Sequence, residues 1–363
     1  MIFLSLYLNT QLLTFNLALP DFYPTIFYMS STRLQIPIID IAPFLQNSTD
    51  EEKKIVAEKI NDACIKYGVF LLKNHGINNK LMLSKMAEFF TLPQDVKDSI
   101  SITPGGFTRG YIGMGKESGS DALEVKEAFS YGYAWPKGEK PKNNMQGENV
   151  WPDKNLLSSE WQSSMQQLFE SMCNIANALT RAFSISYGKT ENYLGEYCKN
   201  GNSISLMRLF HYFPYQKADK EFPLNNNRIG SSPHTDWGFL TLILQQEDCT
   251  GLQLNLDNEW HDLAPVPETL IVNCGDYFSL LTGGNYISPL HRVVSEGKER
   301  LSSVLFFYPD YDAKIPLLDG QSYSLFQDQK KGATEKDLHI DTNLSFGEFI
   351  SEKWSQVQRK EKI

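Results

Sequence analysis

Ser231-Ser232-Pro233-His234-Thr235-Asp236-Trp237-Gly238-Phe239-Leu240-Thr241-Leu242-Ile243-Leu244-Gln245 decides how this chain reads. A polar segment carries a histidine and a carboxylate two residues apart, then runs into an apolar strand. In extended backbone, residues i and i+2 share a face, so the His234 imidazole and the Asp236 carboxylate can point to one spot. Fifty-seven residues on, His291 stands in Ser288-Pro289-Leu290-His291-Arg292-Val293-Val294. Two histidines and one carboxylate make a facial ligand set that leaves open positions on Fe(II). H-x-D alone is a weak signal, since chance produces it often. Arg300-Leu301-Ser302 strengthens it, nine residues after His291. Arg300 and Ser302 again share a strand face, and a guanidinium fork beside a hydroxyl matches a carboxylate. A guanidinium inside a barrel needs an anionic partner. The competing reading is a structural salt bridge to a buried Asp or Glu.

Working outward, short β-rich runs follow one another after Ser203: Ser205–Phe213, Leu240–Gln245, Leu252–Leu256, Thr269–Asn273 and Ser303–Tyr308. Gly, Asp and Pro turns separate them, which indicates a sandwich or barrel. Upstream, Gln35–Phe44 reads as a first strand and Asp50–Tyr67 as a helix with Asp50 near its cap. Gly68–Leu72 reads as a short buried strand, Asn79–Phe90 as a helix, and residues 101–150 as mostly loop. Asn155–Tyr187 carries the longest helical pattern, a scaffold helix, and Ser345–Val357 reads as a closing helix.

The 363 residues hold 34 Lys+Arg against 43 Asp+Glu, a formal charge of -9, with 41% hydrophobic residues. That is an ordinary globular composition, and its acidity argues against a nucleic-acid partner. Five scattered cysteines without a C-x-x-C pair indicate neither a disulfide framework nor a cysteine zinc site. A cytoplasmic location is expected, with nuclear entry by diffusion. Met1–Leu19 is apolar but broken by polar residues, a poor membrane span that leaves room for a targeting signal. Met29-Ser30-Ser31 reads as an alternative start.

Together these segments resemble the iron(II)/2-oxoglutarate-dependent dioxygenases of the isopenicillin N synthase-like superfamily, from about residue 34 to 355. The resemblance rests on Ile36–Phe44, Gly68–Ile77 and Lys126-Glu127-Ala128-Phe129, then on H-T-D at 234–236 and Gly251-Leu252-Gln253-Leu254. Val272-Asn273-Cys274-Gly275-Asp276, Leu290-His291-Arg292-Val293 and R-x-S at 300–302 complete it. It implies a mixed α and β fold: a double-stranded β-helix (jelly-roll) core flanked by helices, with an N-terminal α/β region. The implied divisions are a leader at 1–33 outside the fold, an N-terminal dioxygenase region at 34–150 and a scaffold helix at 151–200. A catalytic domain at 201–311 and a C-terminal loop and helix at 312–363 follow.

The resemblance assigns Fe(II) to His234, Asp236 and His291, and the far carboxylate of 2-oxoglutarate to Arg300 and Ser302. It implies O2-dependent hydroxylation or desaturation of a small organic molecule, with release of succinate and CO2. No nucleic-acid or membrane partner is expected, and a monomer or weak homo-oligomer is. Relatives place a co-substrate tyrosine immediately before a proline in Met207-Arg208-Leu209-Phe210-His211-Tyr212-Phe213-Pro214. Here Tyr212 and Phe213 compete for that position, and the upstream Arg-Leu anchor favours Tyr212. Two alternatives stand beside this reading: an isopenicillin N synthase-like Fe(II) oxidase that uses no 2-oxoglutarate, and a non-catalytic binding or sensor protein on the same fold. His75 reads as a turn residue and Asp276 as a turn-forming Asx. His211, His261 and His339 are not expected to be catalytic. Trp237 and Phe239 are equally readable as pocket or core, and the loop from Gly105 to Asp121, with Tyr111, resembles a pocket rim.

Overall fold

The computed structural model describes residues 34–102, 109–118, 120–222, 227–294, 297–314 and 344–357. The expected leader at 1–33, the alternative start at Met29 and His339 lie outside them. In chain order, β1 (Ile38–Asp40), α1 (Ala42–Leu45), α2 (Asp50–Lys66), β2 (Val69–Lys73), α3 (Asn79–Phe90) and α4 (Gln94–Asp98) come first. Next are β3 (Gly110–Ile112), β4 (Leu123–Glu124), β5 (Lys126–Gly132), α5 (Trp161–Ser186), β6 (Leu206–Tyr212) and β7 (Arg228–Ile229). Then follow β8 (Ser231–His234), β9 (Leu240–Gln245), β10 (Leu252–Leu256), β11 (Glu259–Asp262) and β12 (Leu270–Cys274). The last are α6 (Asp276–Leu281), β13 (His291–Val293), β14 (Arg300–Phe307) and α7 (Phe346–Val357).

An eight-stranded sheet runs β1-β2-β12-β9-β14-β6-β5-β3, and a four-stranded sheet runs β11-β10-β13-β8. This is the jelly-roll core, antiparallel except where β1 meets β2. α5 buries Trp161, Met165, Leu168, Met172, Ile175, Leu179 and Phe183. The i, i+3, i+4 spacing of these residues gives it one apolar stripe, which packs against α1, α2, α3 and the β9–β14 region. Among the described residues no helix is long and apolar enough to cross a membrane.

Several local expectations shift. The first strand shrinks to Ile38–Asp40, because the Asp40 carboxylate accepts the Ala42 N–H and Pro43 opens α1. Thr49, not Asp50, caps α2, in a reciprocal capping box with Glu52. Residues 101–150 hold more strand than composition suggested: β5 pairs along its whole length with β6, burying Glu127 to Gly132. Its β-propensity is modest, and sheet pairing overrides it. β14 starts at Arg300, three residues earlier than the apolar run, so its first residues belong to the sheet.

Candidate active site

The inner face of the large sheet is written in steps of two. Arg208, Phe210 and Tyr212 of β6, Thr241 and Ile243 of β9, and Arg300, Ser302, Val304 and Phe306 of β14 line two adjoining cavities that share Phe210, Phe306, His234 and Asp236. The smaller sheet closes the one at Arg300 with Ser231 and His234 of β8, Leu252 of β10, and His291 and Val293 of β13.

At the centre His234 and His291 lie directly opposite each other across β8 and β13. The register shifts between His291 and Val293, a bulge that re-aims side chains. The imidazole centroids are 4.3 Å apart. The Nδ1 of His234 is 2.7 Å from the Ser232 carbonyl, and that of His291 is 3.0 Å from the Pro289 carbonyl. Each carbonyl can only accept, so Nδ1 carries the proton and Nε2 presents its lone pair. Both Nε2 atoms point at Asp236 Oδ1, 3.9 Å from His234 and 3.8 Å from His291. One ligand atom from each residue lies within 4.8 Å of the other two. Burial first, then the neighbouring His291, push His234 below the ordinary imidazole value, against the pull of Asp236. A neutral imidazole is the form that ligates metal. Two imidazole nitrogens and a carboxylate oxygen on one face are a donor set that fits Fe(II).

Asp236 lies past the end of β8 and is held from behind. Its carbonyl accepts the Asp276 N–H at 2.7 Å, its Oδ2 lies 3.4 Å from Asn273 Nδ2, and the Thr235 hydroxyl donates to Asp276 Oδ2 at 2.9 Å. A Cβ on Gly275 would sit 2.0 Å from the Gly238 carbonyl oxygen, so glycine is needed where these two segments touch. Asp276 therefore opens α6 and steadies the H-T-D segment. Neither Asn273 nor Asp276 announces this locally, since their partners lie about forty positions away in sequence.

On one side of the cluster a recess of ≈ 50 Å³ ends at Arg300, which is 2% exposed. Its Nη2 donates to Gln245 Oε1 at 2.9 Å and its Nη1 to Ser302 Oγ at 3.4 Å, while Nε has no partner among the described residues. The Tyr212 ring lies 5.1 Å from the guanidinium carbon, directly across the β6–β14 ladder. Among the described residues no carboxylate pairs with Arg300. Tyr212 lines this recess, whereas Phe213 packs outside it with Leu123, Val125 and Ala218.

On the other side the cavity widens to ≈ 110 Å³ between Arg208, Phe210, Trp237, Phe306, Tyr308 and Trp354. Two ion pairs border it: Arg208 with Glu117 at 2.8 Å, and Lys126 with Glu124 at 2.6 Å. Glu124 also accepts the Ser232 N–H at 2.8 Å, tying the start of β8 to the N-terminal half. Trp237 lines the cavity, and Phe239 stacks on Phe278 in the core.

The remaining polar candidates are structural. His75 receives the Ile77 N–H and meets the Glu268 carbonyl, and burial holds it below the ordinary histidine value. His211 points out of the cavity toward Glu127 at 2.9 Å. His261 sits on the outer hairpin strand β11, half-buried. Tyr111 is buried and donates to Glu127 at 2.6 Å, so it does not form the rim. Among the described residues of that segment, Glu117 lines the cavity.

With the cluster in place, two family models match this chain. Residues 36–154 match the non-haem dioxygenase in morphine synthesis N-terminal model, and residues 203–309 match the 2OG-Fe(II) oxygenase superfamily. The homoarginine-6-hydroxylase of Glycine max is 31% identical over 306 residues, covering 80% of this chain and 90% of that one. The chain belongs to the 2-oxoglutarate/Fe(II)-dependent dioxygenases. The 2-oxoglutarate-dependent dioxygenase caaD of Aspergillus niger is 28% identical over 297 residues, covering 80% of this dioxygenase and 89% of its relative. The fold is also shared with a full-length Neurospora crassa protein crystallised with alpha-KG and thymine. That likeness has a TM-score of 0.72 at 24% identity, covering 90% of this chain and 98% of the other. As a member of the family, this dioxygenase is an oxidoreductase that uses Fe(II), O2 and 2-oxoglutarate.

Proposed function

We propose that His234, Asp236 and His291 hold the iron, and that Arg300, Ser302 and Tyr212 receive the far carboxylate of 2-oxoglutarate. The substrate oxidised, by hydroxylation or desaturation, is a small organic molecule lodged among Phe210, Phe306, Trp237 and Trp354. One observation carries this reading. A two-histidine, one-carboxylate face lies beside a buried arginine that, among the described residues, has neutral partners only, inside one cavity. Fe(II) held by these ligands would supply O2 activation, with the keto acid as the two-electron reductant, for oxidation of a C–H bond. The chain's own part is positional. Arg300 takes a carboxylate through its remaining donor capacity, Tyr212 and Ser302 add hydroxyls, and the aromatic walls exclude water and orient the substrate.

An anaerobic titration of metal-free protein with Fe(II), then 2-oxoglutarate, tests this. A weak visible charge-transfer band is expected with the keto acid, and it should weaken in Arg300→Ala. Iron binding without the band would overturn the assignment of Arg300, Ser302 and Tyr212 to the co-substrate. Failure to bind iron would overturn the three ligands.

A further inference from the structure

The wider half of the cavity contains a second buried guanidinium whose donors are incompletely used. Arg208 is 3% exposed. Its Nη1 donates to Glu117 Oε2 at 2.8 Å, and the Trp354 ring covers its face at 4.3 Å from the guanidinium carbon. Among the described residues, Nε and Nη2 have no hydrogen-bond partner. These two atoms form one edge of the guanidinium, with two parallel N–H bonds, and Arg208 lines the cavity. Leaving buried donors unpaired costs about 1–3 kcal/mol per group, more when charged. The edge is therefore a buried, unmet hydrogen-bonding demand beside the cavity, which a ligand's oxygens would satisfy.

The donor pattern selects the ligand. Two parallel N–H bonds match the two oxygens of a carboxylate. A primary amide would offer one oxygen and set its own N–H against the second donor. A second cation, Lys126, lines the same cavity, although Glu124 and Glu117 offset the two positive charges. The rest of the wall is Phe210, Trp237, Phe306 and Tyr308, suited to an apolar or aromatic body. We propose that the substrate oxidised is a small carboxylic acid whose carboxylate is held bidentately by the Nε–Nη2 edge of Arg208. Its apolar body would then lie toward His234 and Asp236. Arg208 becomes the specificity-determining residue for the oxidised substrate, as distinct from Arg300 for the co-substrate. This deepens the functional proposal and rests on its reading of the His–Asp–His cluster.

The test is equilibrium binding, read by tryptophan fluorescence of Trp237 and Trp354 in anaerobic protein loaded with Fe(II) and saturating 2-oxoglutarate. The probes are 3-phenylpropanoate against 3-phenylpropanamide, and hexanoate against hexanamide. At least one acid should bind about 10-fold or more tightly than its amide. Arg208→Gln should bring that acid down to the affinity of the amide while leaving the amide unchanged. Arg208→Lys, which keeps the charge and loses the fork, should fall between them. If Arg208→Gln fails to fold by thermal melting, the wild-type acid-to-amide ratio and Arg208→Lys decide. Equal binding of acid and amide, equal weakening of both in the variant, or no saturable binding by any probe would each overturn the inference. The keto-acid band is recorded in the same sample before probe is added. A normal band with no acid preference overturns this inference alone, and a missing band overturns the reading beneath it.

Discussion

Arg300 and Arg208 both lie buried on the inner face of the β6–β14 ladder, on either side of the His–Asp–His cluster, yet their surroundings have different origins. Arg300 is furnished entirely by the barrel: Ser302 on its own strand, Gln245 on β9 and Tyr212 on β6. None of these is charged, and among the described residues the positive charge is unpaired, which the proposal uses for an incoming anion. Arg208 is furnished from afar. Glu117 comes from the N-terminal half and Trp354 from α7, and the charge is already balanced. The difference teaches that two arginines in neighbouring parts of one site can draw their partners from different parts of the chain. In the proposed assignment, strand neighbours build the anion site for the co-substrate, while appended segments shape the end that would meet the substrate.

Arg300→Ala is the harshest way to break this comparison. It removes one partner of a desolvated charge pair, about 2–5 kcal/mol of co-substrate binding, on the order of 10²-fold in the 2-oxoglutarate KM. Arg208→Ala should change that KM by no more than about twofold, because the two sites share no partner. A large rise in both would show that the ends are not independent. Asn273→Ala leaves both arginines alone and loosens the Asp236 carboxylate between them. Fe(II) affinity, measured by competition with a chelator, should fall about 10- to 100-fold, with the co-substrate KM at saturating iron unchanged.

A smaller effect sharpens the barrel end. Tyr212→Phe deletes one hydroxyl, about 1 kcal/mol, and should raise the 2-oxoglutarate KM roughly fivefold. Phe213→Tyr should leave KM alone and lower the unfolding free energy by about 1–3 kcal/mol, since it buries a hydroxyl in an apolar cluster. The reverse pattern would reassign the tyrosine position. A last effect, on stability rather than on binding, depends on pH. Desolvation raises Glu124, but Lys126 and the Ser232 N–H outweigh it and hold its carboxyl at about 2, against an ordinary 4.5. The depressed value means that its stabilisation is complete above the ordinary value and is lost as pH falls through about 2. Urea unfolding at about pH 5 and about pH 3 should show wild type losing more stability than Glu124→Gln over that interval.

Much of the core was legible because strands and amphipathic helices write their burial at fixed periods. β9, β10 and α3 coincide with the apolar runs that announced them. The short spacing of His234 and Asp236, and of Arg300 and Ser302, was legible for the same reason. β5 was not, because Lys126-Glu127-Ala128-Phe129-Ser130-Tyr131 buries charges whose partners, Glu124, Lys97 and His211, are visible only after folding. The choice between Tyr212 and Phe213 was a question of face. A one-residue slip exchanges the two faces of a strand, and only the pairing of β6 with β14 assigns them.

What the amino-acid order determined by itself was therefore local: which residues alternate inward, and which chemistry-bearing side chains sit two apart on a strand. The meeting of His234 with His291, the anchoring of Asp236 by Asn273, and the enclosure of Arg208 between Glu117 and Trp354 were decided by the tertiary structure. Each joins residues dozens to hundreds of positions apart, and no period in the chain encodes such a contact. It arises when burial of the two sheets and the surrounding helices fixes which segments must lie against one another.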